Sequence, residues 1–99
     1  MEIRIQSIHF DADKKLLQYA EKKISKLEVL FDRIIDADLY LKFDSLNSQI
    51  KEKSAEIKLN IPGTTLFSKE QDMTFEKAID KAVESLKRQL KKYKEKLKN

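Results

Sequence analysis

Apolar and polar residues alternate with a period of two in several short segments, which is the pattern of strands with one buried face. The alternation is clear over residues 2–6, 37–43 and 55–61. Pro62-Gly63 then supplies turn chemistry, so we expect a hairpin into a fourth strand at residues 64–69. The alternation of this last segment is weaker, as is typical of an edge strand.

Two other segments carry apolar residues at steps of three and four, which predicts amphipathic helices. The first runs from Asp13 to about Leu30, and either Asp11 or Asp13 can cap its start. The second runs without glycine or proline from Thr74 to about Lys98. The chain therefore contains two helices, and the longer one forms its last quarter.

The predicted element order is β-α-β-β-β-α, with the polar residues 44–53 as a loop between the second and third strands. Because the alternation leaves one face of the sheet apolar, both helices should cover that face of a four-stranded sheet. A right-handed crossover through the first helix makes the first two strands parallel if they are adjacent. We expect an α+β fold, a two-layer sandwich, in which residues 1–99 form one domain.

The composition excludes several kinds of chemistry. There is no cysteine, one glycine and one proline, so disulfides, thiolate sites and a glycine-rich phosphate loop are absent from the sequence. The single histidine, His9, has no carboxylate cluster around it in sequence, and no acid, base and nucleophile converge. We therefore expect no enzymatic activity, no metal or other cofactor and no small-molecule substrate.

No apolar run reaches the roughly 20 residues that a membrane span requires. The first residues also lack the apolar stretch of a signal peptide. These observations predict a cytoplasmic protein with no membrane partner.

The net charge of +4 is distributed unevenly. Residues 77–99 contain nine basic and three acidic side chains, a sum of +6. The other 76 residues contain 12 basic and 14 acidic side chains, a sum of −2. This segregation indicates an anionic partner for the last quarter of the chain.

Helical wheels show where the basic side chains point. In the first helix, Lys15, Lys22 and Lys26 lie opposite the apolar side, and Arg33 follows the helix. The second helix carries two basic rows, which are Lys77, Lys81, Arg88 and Lys92, and beside them Lys87, Lys91, Lys94 and Lys98. A basic row on a helix is often only a solvated surface with no partner. A surface that serves only solubility, however, usually mixes positive and negative side chains. Segregated cations favour a phosphate backbone as the partner.

Two tyrosines and a set of acids complete this prediction. Tyr19 falls on the exposed side of the first helix, where it could stack on a base, and Tyr93 falls on the buried side of the second helix. The acids expected to lie away from the basic surface are Asp32, Asp36, Asp38, Asp44, Glu52 and Glu56.

The run Lys26-Leu27-Glu28-x-x-Phe31-Asp32-Arg33-Ile34 resembles the segment after the first helix in the ribosome hibernation promoting factors, the family that includes ribosome-associated inhibitor A. Further matches are Gln71-Asp72-Met73, then Ala78-Ile79-Asp80, then Leu86-x-Arg88-Gln89-Leu90-x-Lys92-x-Lys94-x-Lys96-Leu97. The resemblance covers essentially the whole chain in the same element order. The sequence departs from the family pattern at two places. The stretch between Met73 and Ala78 is longer than in some members of the family, and Phe75 stands where many members have tyrosine.

The resemblance implies a fold similar to double-stranded-RNA-binding domains. It implies binding to ribosomal RNA of the small ribosomal subunit, in the channel for messenger and transfer RNA, and inhibition of translation in stationary or starved cells. It also implies the short form of the family, without a C-terminal dimerisation domain, so that ribosome pairing would need a second hibernation factor.

Carried over by position, the family's RNA-facing residues correspond to Lys22, Lys23, Lys26, Arg88, Lys91, Lys92 and Lys94. The wheel agrees with most of them, although it places Lys23 nearer the edge of the core. The complete set of candidate RNA-binding residues is Lys15, Lys22, Lys23, Lys26, Arg33, Lys81, Lys87, Arg88, Lys91, Lys92 and Lys94.

The alternative is a protein-interaction module that docks its basic C-terminal helix on an acidic partner. A third hypothesis, modulation of a transcription sigma factor, is an older label of the same family and ranks behind both.

Overall fold

The alternating segments form one sheet, and the segments with helical spacing form helices on one side of it. The computed structural model describes residues 1–45 and 51–98. In chain order the elements are β1 (Glu2–Ser7), α1 (Lys14–Ser25), α2 (Leu27–Leu30), β2 (Asp36–Ser45), β3 (Lys51–Ile61), β4 (Thr64–Asp72) and α3 (Phe75–Leu97). The predicted α+β class and its element order are confirmed, with one helix divided in two.

The sheet has the strand order β1-β2-β3-β4. β1 pairs with β2 in parallel, as the right-handed crossover predicts, and the other two pairs are antiparallel. The predicted hairpin joins β3 and β4 through Pro62 and Gly63, and Gly63 has φ +87°, a conformation that glycine adopts at little cost. β1 and β4 therefore run in the same direction, and the helices that follow them, α1 and α3, run back side by side.

The strands are longer than the alternation predicts. Residues 44 and 45 belong to β2, residues 51–53 belong to β3, and β4 continues to Asp72. The loop predicted at 44–53 is therefore wrong at both of its ends, and residues 46–50 of it lie outside the described residues. Polar strand ends keep their backbone pairing, for example Asp44 with Glu52, and hydropathy does not report that pairing.

The single helix predicted from Asp13 to about Leu30 is also wrong, because it ends at Ser25 and a short second helix follows. The Ser25 hydroxyl donates to the Lys22 carbonyl at 2.9 Å. A continuous helix would offer that carbonyl to the Lys26 backbone N–H, which donates to Ile24 instead. A serine that bonds the preceding turn in this way competes with the helical ladder.

Each long helix begins at a capped residue. The Asp13 carboxylate accepts a hydrogen bond from the Leu16 backbone N–H at 2.8 Å, so Asp13 is the cap and not Asp11. The Thr74 hydroxyl accepts from the Lys77 backbone N–H at 3.1 Å and caps α3. Both caps satisfy backbone donors that the first turn of a helix leaves free.

The core lies between the sheet and the two long helices. Fully buried residues come from every layer, including Ile24 of α1, Leu39 of β2, Ile57 of β3 and Leu86 of α3. The apolar stripe of α3 packs against β3 and β4, and α1 packs beside α3. Because both helices share one face of the sheet, their outer surfaces lie on the same side of the molecule.

The opposite face of the sheet carries a polar network around Arg4. Its guanidinium bonds Asp38 at 2.6 Å and Asp36 at 2.9 Å, and it also contacts Glu2. The Asn60 amide and then Arg4 lower the pKa of Asp36. The network ties β1 to β2 and partly neutralises the acids of this face.

The open edge of β4 is covered by side chains of α3. The Gln89 amide donates to the Phe67 carbonyl at 2.9 Å, and the Lys81 ammonium donates to the Gln71 carbonyl at 3.3 Å. These bonds use two carbonyls that no strand pairs with in the described sheet.

Replacing Ile57 with alanine should lower the free energy of unfolding by about 2–5 kcal/mol, since it leaves a cavity in the centre of the core. Urea denaturation followed by circular dichroism measures the change. Val29 is 88% exposed, and Val29→Ala serves as the control, with an expected change below about 0.5 kcal/mol. Equal losses in the two variants would contradict the placement of Ile57 in the core.

Candidate nucleic-acid interface

Most of the candidate cations lie on α1 and α3, whose outer surfaces face the same way. Between the two helices runs a shallow groove, and part of it is a hollow of about 200 Å³ lined by Lys23, Lys26 and Lys87. Asp80 and Glu84 line the same hollow, and the Lys87 ammonium pairs with Glu84 at 3.1 Å. The upper groove, toward the start of α3, therefore mixes both signs of charge.

Asp80 connects the two helices. The Tyr19 hydroxyl donates to the Asp80 carboxylate at 2.7 Å, and the Lys23 ammonium lies 3.5 Å from the same oxygen and 5.5 Å from the centre of the Tyr19 ring. The prediction of an exposed Tyr19 is wrong, because this residue is half-buried against α3. The charge of Lys23 is partly neutralised by Asp80. This agrees with the position of Lys23 on the wheel, near the edge of the core.

Lys81 forms an ion pair with an acid of the sheet. Its ammonium lies 2.9 Å from the Asp72 carboxylate at the end of β4. The hydrogen bond with Asp72 raises the pKa of Lys81 and lowers that of Asp72. Arg88 lies along the same side of α3 as Lys81, near Glu70 and Glu84.

The second half of α3 carries cations that the protein itself does not neutralise. Arg88, Lys91 and Lys92 are exposed and form no ion pair within residues 1–45 and 51–98. Lys91 lines a second hollow, of about 360 Å³, together with Lys26 and Lys87. These residues present free ammonium and guanidinium donors to solvent, which suits a phosphate ligand.

A third hollow, of about 390 Å³, lies between α2 and the end of α3 and brings Arg33 and Lys94 together. The Lys94 ammonium donates to the Leu30 carbonyl at 2.8 Å, and the Arg33 guanidinium lies 5.1 Å above the Phe31 ring. Asp32 lines this hollow too. Asp32 was expected away from the basic surface, and that prediction is wrong because Asp32 is next to Arg33 in the turn after α2.

The remaining two candidates lie apart from the groove. Lys22 lines a hollow beside β1 together with Met1 and Ile3, on the side of α1 that faces away from α3. Lys15 is exposed in the first turn of α1, at the other end of the helix from Lys26. The structure therefore gathers most of the candidate cations in a lower basic surface, in which Lys87 is paired with Glu84. The lower basic surface is made of Lys26, Arg33, Lys87, Arg88, Lys91, Lys92, Lys94 and Lys98.

Three residues of this region have positions or contacts that the sequence did not predict. Asp80 was named only within the family match Ala78-Ile79-Asp80 and not as a contact of α1, although its step from Glu84 places both on the side facing α1. Val29 is apolar and 88% exposed. The feature of the sequence that could have identified it is a branched apolar residue outside the buried side of the helix. Tyr93, expected in the core, is half-buried and its hydroxyl donates to the Pro62 carbonyl at 3.0 Å.

Other kinds of site find little support in the part of the chain that the structure describes. There, no group of three histidine or acidic side chains lies close enough to hold a metal ion. Over the same residues, no helix is both long and apolar enough to cross a membrane.

The sequence matches the family described as Sigma 54 modulation protein / S30EA ribosomal protein over residues 3–98. The chain therefore belongs to this family, and the resemblance noted from the sequence is confirmed.

Named relatives support the same assignment. A ribosome hibernation promoting factor of Pseudomonas putida is 30% identical over 96 residues, which cover 97% of this chain and 89% of the relative. A ribosome hibernation promotion factor of Bacillus subtilis is 31% identical over 98% of this chain but only 50% of its own length. A third, from Deinococcus radiodurans, is 32% identical over 85% of this chain and 44% of its own length. The chain thus spans half or less of these two longer relatives.

Two solved structures share the fold. The N-terminal domain of Protein Y from Thermus thermophilus superposes with a TM-score of 0.80 at 28% identity, covering 94% of this chain and 99% of that one. A ribosomal subunit interface protein from Coxiella burnetii gives a TM-score of 0.84 at 23% identity, covering 95% and 98%. The second likeness shows the fold alone.

The hydrogen bond to Asp80 raises the pKa of Tyr19 to about 12, whereas an unfolded tyrosine titrates near 10. The bond therefore contributes stability that is fully present below about pH 10 and is lost as the pH rises through about 12. Tyr19→Phe should be about 1 kcal/mol less stable at neutral pH, and the difference should shrink over that window. Urea denaturation at a series of pH values measures it.

The matched control is Tyr40→Phe, which removes a tyrosine from the opposite face of the sheet. Among the described residues the Tyr40 hydroxyl forms no hydrogen bond, so this variant should keep nearly full stability. A Tyr19→Phe deficit that stays constant up to pH 12 would refute the link between the two helices through Asp80.

Proposed function

We propose that the chain is a ribosome hibernation factor. It binds ribosomal RNA of the small ribosomal subunit through the lower basic surface and the adjacent helices, occludes the channel for messenger and transfer RNA, and inhibits translation in stationary or starved cells. The observation that carries the proposal is the row of unpaired cations on the second half of α3, together with membership of a family whose relatives are named as hibernation factors.

The physical basis of binding is the neutralisation of phosphates. Each cation that contacts a phosphate releases a condensed counterion, and this release provides much of the affinity of proteins for nucleic acids. Arg88, Lys91 and Lys92 have no internal partner to give up among the described residues, so their contacts with RNA require no broken ion pair. Lys23 and Lys81 would have to leave Asp80 and Asp72, and they contribute less.

Inhibition by occlusion requires bulk and not catalysis. The molecule measures 49 × 26 × 18 Å along its principal axes, and its charges hold that volume against the RNA. On this proposal the protein acts in the cytoplasm, and a second hibernation factor joins it when ribosomes pair. Neither step needs a cofactor or a small-molecule substrate.

The competing proposal is a module that docks α3 on an acidic protein. A membrane surface fits less well, since the apolar side of α3 is used to cover the sheet and residues such as Ile79 and Leu86 are fully buried. A pull-down with and without nuclease separates the two proposals. Capture that survives nuclease would favour the protein module.

Reversing two charges on α3, with Lys91→Glu and Lys92→Glu together, should weaken co-sedimentation with purified small ribosomal subunits by at least about tenfold, because two phosphate contacts become repulsions. Circular dichroism should show an unchanged fold, since both side chains are exposed.

The matched control is Lys58→Glu with Lys69→Glu. It makes the same change in net charge at two exposed lysines on the opposite face of the sheet. The control should bind subunits as the wild type does. Equal losses in the two variants would show that only net charge matters, and full binding by the α3 variant would show that the surface is assigned wrongly.

The affinity for small subunits should fall steeply with salt. With about six phosphate contacts, a plot of log affinity against log salt concentration should have a slope of about −4 to −5. Binding measured at several concentrations of potassium chloride gives this slope. A slope near zero would contradict recognition by phosphate contacts.

A further inference from the structure

Val29 and Leu30 form an apolar ridge in the middle of the lower basic surface. Val29 is 88% exposed, which is a large exposed fraction for a branched apolar side chain on a helix. Leu97, on the last turn of α3, is 52% exposed and lies across the third hollow from the ridge. These side chains cover no core, so their packing within the chain does not account for them.

The ridge separates the two lower hollows. On one side, the hollow of about 360 Å³ is lined by Lys26, Lys87 and Lys91. On the other, the hollow of about 390 Å³ contains Arg33, Lys94 and Lys98 together with a single acid, Asp32. An apolar surface thus lies between two groups of three cations.

This arrangement matches the chemistry of one unstacked nucleotide. A nucleobase presents two flat apolar faces, and its phosphates lie on either side along the strand. Duplex RNA keeps its bases stacked and offers chiefly phosphates and 2′-hydroxyls, whereas bases of loops and bulges are free to contact apolar and aromatic side chains. Cations on both sides of an apolar ridge complement the second kind of ligand.

We propose that the Val29–Leu30 ridge binds the base of an unpaired RNA nucleotide, while the cations of the two hollows hold the flanking phosphates. The proposal rests on the function proposed above and adds to it that the surface selects unpaired nucleotides over duplex. The base contacts Val29 and Leu30, and Leu97 closes the hollow beside them.

The test compares binding of the full chain to an unpaired RNA oligonucleotide and to a duplex of the same length, by fluorescence anisotropy. Val29→Ser should weaken binding of the unpaired RNA by about tenfold, because the base no longer buries an apolar side chain, and should leave duplex binding unchanged. Its slope against salt should equal that of the wild type, because no phosphate contact is removed. Val29→Phe should tighten binding of the unpaired RNA.

The control is Phe67→Ser, which removes an apolar side chain that is 48% exposed on the opposite face of the sheet. It should not change binding of either RNA. If Val29→Ser binds unpaired RNA as the wild type does, or loses both RNAs equally, the ridge is not a base site. If an acidic leucine-containing peptide loses binding in Val29→Ser while RNA binding is unchanged, the ridge belongs to a protein partner and the proposal is overturned.

The charge-reversed variant of Lys91 and Lys92 separates this proposal from the function on which it rests. If that variant loses binding of both RNAs while Val29→Ser has no effect, phosphate binding by the lower basic surface is supported and the base site is refuted. No loss of either RNA in the charge-reversed variant would instead remove the proposed function itself.

Discussion

The need to bury one face of a four-stranded sheet determines most of this structure. Ile57 and Leu39 lie at the centre of that face and are fully buried, and only helices on that side can cover them. Because both helices lie side by side on the same layer, their solvent-facing surfaces lie on one side of the molecule. The basic surface is therefore largely a consequence of how the core is closed, and the turn after α2 adds Arg33 to the residues of the helices.

The sequence predicted the parts of the fold that depend on hydrophobic periodicity. The class, the element order, the parallel first pair and a cap at one of the two aspartates before α1 follow from local patterns that the tertiary structure keeps. The errors fall where a local polar interaction decides. The Ser25 hydroxyl ends α1 early, and the backbone pairing of Asp44 with Glu52 extends strands through polar residues. Neither interaction has a signature in hydropathy.

The sequence predicted which side of each helix carries the candidate site, but it did not predict which of the basic residues are paired with acids. A wheel shows which side of a helix a lysine is on, but it does not show what the neighbouring helix or strand places opposite it. Asp72 opposite Lys81 and Asp80 opposite Lys23 come from other elements, so their compensation of charge becomes visible only in three dimensions.

The side chains of Gln89 and Lys81 on the open edge of β4 have a consequence for the behaviour of the protein at high concentration. An unpaired edge is the place where a second chain can add a strand and begin edge-to-edge aggregation. With the Phe67 and Gln71 carbonyls already bonded to side chains of α3, an incoming strand would have to displace those side chains first. At the other edge, the charged Glu2 and Arg4 make strand addition costly. The chain can thus accumulate without its sheet becoming a template for fibres.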